Sequence, residues 1–552
     1  QIKKQSAGPE NRSCALRLYE GKRKMFDYLI QNGTLIDGTG APAAAGDVAI
    51  KDGKIAAVGD LKDASAGTVL DAAGKYVTPG FIDIHRHADA ALFRPHFGEL
   101  ELKQGLTTIV NGNCGLSVTP CAGAYKKEIE AYLTPVAGAL PENADFSSLA
   151  SYLCAAKKTP SPINTAMLAG SGTIRACAAG FGTPELDAAQ MAEIHRLIEQ
   201  ELAAGALGVS LGLGYAPDCF YSTEALIEAL QPLKNSGIPI TVHMRQEGSG
   251  VVDALREMIT VAKALHTPVE VSHLKSIGKA NWHRCTPEML RLMHEARQDG
   301  IEIACDVYPY TAGSTTLLSL FPPETLAGGT EGVLRQISNP AGRAHILKAF
   351  SQTRDGWDNF IQTLGWGRVI VSGSSNPEEV GRSIEQLAAL CHGDPGECAL
   401  NLLAREKGCV PVVLEEMAPD DVGKIITQED CIVISDSLYS AAGMPHPRKY
   451  GAFQRFLCRY VKEEKRLTLV KAIDKITRMP AEFLGLRDRG RVKVGCYADL
   501  VLMDWEALRD RATYTDPVRH SEGVQSVFVN GRLAYDNGSA TGEAAGVLLN
   551  RG

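Results

Sequence analysis

No run of apolar residues in this chain approaches the eighteen or so that a membrane-spanning helix requires. No sign of charge dominates either. Fifty-seven Lys and Arg stand against 64 Asp and Glu, a net charge of −7, and the pI is about 6.1. Neither nucleic acid nor an anionic membrane is therefore an expected partner. The fourteen cysteines show no repeated short spacing, and no apolar signal-like core lies near the start. Reduced thiols and a cytoplasmic location are the expectation.

What the chain has is length and alternation. Its 552 residues, 45% apolar and 22% charged, suit a large barrel with accessory parts or several domains. Residues 1–24 are polar and basic and read as a leader or tail. "VAIKDGKIAAVG" (48–59) and "VQSVFVNGRLAYDNG" (524–538) read as hairpins around D-G and N-G turns, and "ADLVLMD" (498–504) as a further strand. Between them, short apolar runs alternate with helical patterns such as "AAQMAEIHRLIEQELAAG" (188–205). The runs are "GFIDIH" (80–85), "TTIVNGN" (107–113), "NTAMLAG" (164–170), "ALGVSLG" (206–212), "PITVHM" (239–244), "PVEVSH" (268–273), "IEIACDVYPY" (301–310) and "CIVISD" (431–436). Eight strands with intervening helices predict an α/β fold, a TIM-like (β/α)8 barrel. About 120 residues separate the last two strands, far more than a usual connection, so an inserted lid subdomain is expected there.

"GFIDIHRHAD" (80–89) ends the first run with two histidines one residue apart. On a strand, His85 and His87 share a face and Arg86 takes the other. Chemistry in such barrels gathers at the C-terminal ends of the strands. Those ends carry His85 and His87, then Cys114 in "NGNCG", His243 in "TVHMRQEG", His273 in "VEVSHLK" and Asp436 in "VISDS". Taken singly, Cys114 is a small buried hydrophobe, each histidine a core residue, and Asp436 a helix N-cap. Taken together on one rim, a thiolate with imidazoles is a zinc set.

These segments, with "GALGVSLGLGYAP", "DVYPYTAGST" and "HPRKYGAFQRFL", resemble the N-acyl-D-amino-acid deacylases (D-aminoacylases) of the amidohydrolase superfamily, from about Phe26 to Val547. The resemblance implies a small β-sandwich built from both termini (25–79 and 483–552), a catalytic barrel over 80–482, and an insertion over about 311–428. It implies one tightly bound zinc on Cys114, His243 and His273. His85 and His87 would sit at a second, weaker metal position with Asp436 beside it. One departure is clear: relatives often read "GHGT" after the third strand, and here it is "GSGT", with Ser171.

The implied reaction is hydrolysis of the amide of an N-acyl-D-amino acid, giving a carboxylic acid and a free D-amino acid. Asp436 would take a proton from the attacking water and hand it to the leaving nitrogen. The substrate's α-carboxylate calls for a cation. The resemblance points to Lys275, with Arg245 and Arg448 as further candidates; each has a supporting or surface role as the alternative, the one expected for Arg245, and Tyr308 and Tyr310 could offer hydroxyls. The stretch "TAGSTTLLSLFPPETL" (311–326) holds Leu317, Leu318, Leu320 and Phe321 and no cation, so a neutral or hydrophobic D-residue is expected. A cyclic amidohydrolase of the hydantoinase or dihydroorotase kind is the alternative. It would normally present a lysine at the end of the fourth strand, where this chain reads "GVSLGLG". A non-catalytic scaffold is the more distant one.

Overall fold

A computed structural model describes residues 25–354, 356–439 and 443–551; the basic leader, 1–24, lies outside them. The eight apolar runs all become parallel strands. The first three (Phe81–Asp83, Leu106–Asn111, Asn164–Met167) form one arc. The third resumes as Ala169–Gly170 and leads into Val209–Gly212, Ile240–His243, Val269–Val271, Ile303–Val307 and Cys431–Val433. The seam between last and first strands closes through His87 N–H donating to Ser437 O (3.0 Å) and Asp436 N–H to His85 O (2.9 Å). The strands are buried on both faces, which is why they read as near-continuous apolar runs rather than alternating ones. The expected amphipathic helix spans Ala188–Ala203, and Asp187 and Gln190 form a capping box at its start.

Both terminal hairpins form as read. Asp52 and Gly53 turn the first with φ of 50° and 80°, Asn530 and Gly531 the second with 46° and 75°, as a type I′ turn requires. The strands of the two termini join one continuous nine-stranded sheet, in which Tyr76–Pro79 pairs with Leu500–Met503. It carries its own core of Ile30, Val48, Ile50, Val77, Leu502 and Phe528.

The segment between the last two barrel strands holds a separate antiparallel sheet. Pro411–Glu415 lies between Ala312–Thr316 and Val369–Val371. Helices Gly329–Ser338, Pro340–Phe350 and Pro395–Arg405 belong to the same segment. No helix among the described residues is long and apolar enough to cross a membrane.

Candidate metal centre

The six strand-end residues converge. Ligand atoms of Cys114, His243 and His273 lie within 4.8 Å of one another, as do those of His85, His87 and Cys114 and those of His85, His273 and Asp436. Cys114 Sγ is 3.2 Å from His85 Nε2 and 3.5 Å from His273 Nε2. His243 Nδ1 is 3.0 Å from His273 Nε2. Asp436 Oδ1 lies 3.5 Å from His85 Nε2 and 3.4 Å from His87 Nε2. All six are buried. Arg86 does take the opposite face. It is buried among Asp83 (3.2 Å), Glu101 (2.8 Å) and the Tyr439 hydroxyl (2.8 Å), so the side chain between the two histidines pins the first strand from behind.

Three of the six sit in the left-handed region, Cys114 at φ 54°, His273 at 38° and Asp436 at 51°. Non-glycine residues pay for that conformation, and it persists at functional sites where the surroundings enforce it. Around Cys114 the enforcing contacts are visible. Asn113 Nδ2 donates to the carbonyls of Ile84 and Val110 (both 3.1 Å), and Gly115 N–H donates to Ser210 Oγ (3.0 Å). A Cβ on Gly212 would lie 2.2 Å from the Cys114 carbonyl oxygen, and one on Gly214 would lie 2.7 Å from His243 Nε2. The glycines of "SLGLG" thus let the Cys114 backbone and the His243 ring close in.

A second tier of groups orients these side chains. His85 Nδ1–H donates to Asp306 Oδ2 (3.0 Å), which leaves Nε2 for the cluster. Asp306 also accepts from the His273 backbone N–H. Glu247 Oε1 lies 2.9 Å from His273 Nδ1, and Lys275 Nζ bridges the pair at 2.5 Å from Glu247 and 2.7 Å from the ring. Burial opposes ionisation of Glu247, but His243, Lys275 and His273 outweigh it and hold the carboxyl well below its usual range. Neither Asp306 nor Glu247 was among the sequence candidates. Asp306 is the last residue but one of the seventh strand, and Glu247 stands four residues after His243, so both had a positional signal.

The donor set fits zinc. Burial would raise the Cys114 thiol, yet His85, His243 and His273 hold it well below its ordinary value. It therefore presents the thiolate that zinc accepts alongside imidazole. Asp436 is likewise kept ionised. Burial opposes this, but Arg448 and His85 prevail, with Arg448 Nη1 2.9 Å from Asp436 Oδ2.

Two clefts meet at the cluster, and Tyr215, His273, Ser314, Thr315 and Asp436 line both. One encloses about 800 Å³, mouth included, and is walled by Leu116, Tyr132, Val136, Leu318, Val333 and Leu438. The other encloses about 700 Å³ and is polar, with Glu247, Lys275, Tyr308, Asp358 and Glu416 on its walls.

Several expectations need correction. Leu317 and Leu320 are fully buried in the insertion and line neither cleft; Leu318 lines the apolar cleft and Phe321 the polar one. Tyr310 is buried beneath Arg455 and reaches neither cleft. Arg245 reaches the polar cleft but is tied to Glu257 (2.9 Å) and to the carbonyls of Cys219 and Tyr221, the supporting role expected for it. Arg448 is 1% exposed and faces the metal cluster through Asp436 and the Tyr308 ring rather than through either cleft. Lys275 and Tyr308 do line the polar cleft. Ser171 donates to Asp218 Oδ1 (3.2 Å), and Asp218 Oδ2 accepts the Gly212 N–H (3.1 Å), so this serine braces the fourth strand.

Comparison with known proteins agrees with this geometry. Amidohydrolase family profiles match residues 76–312 and 436–535. The D-aminoacylase of Alcaligenes xylosoxydans xylosoxydans is 33% identical over 537 residues, 95% of this chain and 98% of that one. The chain belongs to the D-aminoacylase family of the amidohydrolases. The N-acyl-D-glutamate deacylase of the same organism is 32% identical over 93% of this chain and 94% of its own length. Among solved structures, a D-aminoacylase studied for its binuclear metal center, with one-metal activation and second-metal attenuation, superposes with a TM-score of 0.81 at 34% identity, covering 95% of this chain and all of that one. The N-acyl-D-glutamate deacylase of Bordetella bronchiseptica, complexed with zinc and a phosphonate inhibitor, gives 0.80 at 30% identity over 96% and 100%. An L-hydantoinase from Arthrobacter aurescens gives 0.55 at 16% identity, a likeness of fold alone. The centre of this chain has the binuclear metal-binding architecture of its family.

Proposed function

We propose that this chain is a zinc-dependent deacylase that hydrolyses the amide of N-acyl-D-amino acids, releasing a carboxylic acid and a free D-amino acid. The observation that carries this reading is the meeting of Cys114, His243, His273 and Asp436 where an apolar and a polar cleft join. Cys114, His243 and His273 would hold the tight zinc, and His85 and His87, with Asp436, would hold the neighbouring position. Zinc bound there lowers the pKa of water and polarises a carbonyl, both of which an unreactive amide needs. Asp436 receives the proton of the attacking water and delivers it to the departing nitrogen. Arg448 fixes the carboxylate for this transfer through its 2.9 Å contact. Lys275 and Tyr308 face the amino-acid half in the polar cleft, and the acyl group takes the apolar one, whose walls favour it by the area they bury, about 25 cal/mol per Å².

With Leu318 on the acyl side, the expected preference for a hydrophobic D-residue loses half its basis. Its exclusion of acidic residues stands on firmer ground, because Lys275 and Arg245, the cations lining the polar cleft, are both engaged by carboxylates. The thirteen described cysteines are all free, which supports the cytoplasmic location we propose. A cyclic amidohydrolase reading lacks its strand-four lysine, and the space beside Gly212 is filled by the Cys114 carbonyl. The experiment is a screen of N-acetyl-D- and N-acetyl-L-amino acids by released amine on zinc-loaded enzyme. Amine from the D series alone is the expected result, and equal turnover of the L series or none at all rejects the reading.

A further inference from the structure

Four carboxylates line the polar cleft, and three are committed within the fold. Glu247 is held by Lys275 and His273, Asp436 by Arg448. Asp358 accepts the backbone N–H groups of Glu247 (2.7 Å) and Gly248 (2.6 Å). The fourth, Glu416, is different. It is 3% exposed, and its Oε1 accepts the Tyr308 hydroxyl at 3.0 Å. Among the described residues no Lys, Arg or His side chain forms an ion pair with it within 4.0 Å. Room has been made for this carboxylate, since a Cβ on Gly313 would lie 2.3 Å from Glu416 Oε1. Aromatic side chains stand around the same space, with Phe321, Trp357 and Phe360 joining Tyr215 and Tyr308 on the cleft walls.

A buried carboxylate without a cation is costly. A cation delivered by a ligand would supply a charge-assisted hydrogen bond, and the aromatic faces would attract the same charge. We propose that Glu416 is a specificity-determining residue, and that the polar cleft takes D-amino-acid residues with a cationic side chain, an ammonium or guanidinium paired to Glu416. This rests on the deacylase reading and names the substrate class within it. Burial, with Glu247 adding to it against Lys275 and Arg448, pushes the Glu416 carboxyl up to about 7. That is the state of an acid whose counter-charge arrives with the substrate.

The test compares kcat/KM of the zinc-loaded full chain for N-acetyl-D-lysine, N-acetyl-D-arginine and their neutral counterpart N-acetyl-D-norleucine. Lysine and arginine derivatives are expected to exceed norleucine at least tenfold, and in Glu416→Gln that ratio should fall towards one, with Glu416→Asp restoring part of it. A wild-type ratio of one or less overturns the proposal while norleucine turnover leaves the deacylase reading intact, and this comparison needs no variant. An unchanged ratio in Glu416→Gln, with all three substrates weakened equally, also overturns it, because Glu416 would then serve a part common to all three substrates rather than their side chains. Absence of turnover with every N-acetyl-D-amino acid rejects both readings together.

Discussion

Gly212 and Cys114 are built against each other. The hydrogen atom of Gly212 occupies a place where a Cβ would lie 2.2 Å from the Cys114 carbonyl oxygen. Both partners in that contact are backbone-bound, so neither can swing aside. Gly212→Ala must therefore push the Cys114 turn away from the fourth strand, against a backbone already held at φ 54°. The expected outcome is loss of most of the tight zinc and a stability loss of about 1–3 kcal/mol, the usual cost of overpacking. Metal analysis and chemical denaturation of the variant check this, and a full zinc equivalent would show that the turn yields without disturbing the thiolate.

The ligands and the proton carrier should separate cleanly by mutation. Cys114→Ala and His273→Ala are each expected to lose the tightly bound zinc. Asp436→Asn, which changes a residue at the edge of the cluster, should keep its zinc content nearly intact while turnover falls by at least ~10²-fold, within the range for loss of a general base. Zinc content and turnover measured on the same preparations decide it. An Asp436→Asn enzyme with more than a tenth of the wild-type rate would remove Asp436 from its role.

The rim of the barrel was legible in the sequence for a physical reason. Parallel strands buried on both faces read as apolar runs, so the passage from apolar to polar residues marks each C-terminal end, and the metal-ligand types stand there. That places His85, Cys114, His243, His273 and Asp436 on one rim before any geometry is known. The same logic gives no reading of what supports them. Asp306 reaches across the barrel from the seventh strand to His85 (3.0 Å), a relation that exists only once the barrel has closed. The insertion was the least legible part. "LLSL" carries no period that tells a cleft wall from a subdomain core, and Leu317 and Leu320 turned out to be core while Leu318 lines a cleft. Glu415 and Glu416 are adjacent and chemically identical in sequence, yet one is exposed and the other is buried in the cleft, a distinction set by the strand's position in its sheet.

Glu416 also gives a pH dependence. Its ordinary value is 4.5, and burial raises it to about 7 in the folded chain. The folded state then binds the proton more tightly than the unfolded one, so this group subtracts stability as pH rises from 4.5 to about 7. At 1.36 kcal/mol per pH unit the full effect is about 3 kcal/mol. Glutamine does not titrate. The stability of Glu416→Gln relative to wild type is thus expected to improve between pH 4.5 and pH 8 by up to that amount, with other titrating groups cancelling in the difference. Denaturation of both proteins at the two pH values is the measurement, and a difference that does not change with pH would place an uncounted cation beside Glu416.

Acidic substrates supply the last test, because they probe the polar cleft with the opposite charge. A D-glutamate side chain entering this cleft would bring a second carboxylate towards Glu416, Glu247 and Asp358. The cations on its walls offer little relief. Lys275 is held at 2.5 Å by Glu247, and Arg245 is held at 2.9 Å by Glu257. Withdrawing Lys275 would leave the buried Glu247 with His273 alone, and withdrawing Arg245 would leave the half-buried Glu257 with only the Thr223 hydroxyl, so either release is opposed. N-acetyl-D-leucine carries no such charge and meets Phe321, Phe360 and Leu414 on the same walls. The expected result is a kcat/KM for N-acetyl-D-leucine at least tenfold above that for N-acetyl-D-glutamate, the ratio in which enzyme specificity is expressed. Adding salt should narrow the gap little, since the opposing charges are buried and weakly screened. A glutamate value tenfold above leucine would mean that Lys275 or Arg245 is released on binding, and would reassign the polar cleft to acidic residues while leaving the deacylase reaction in place.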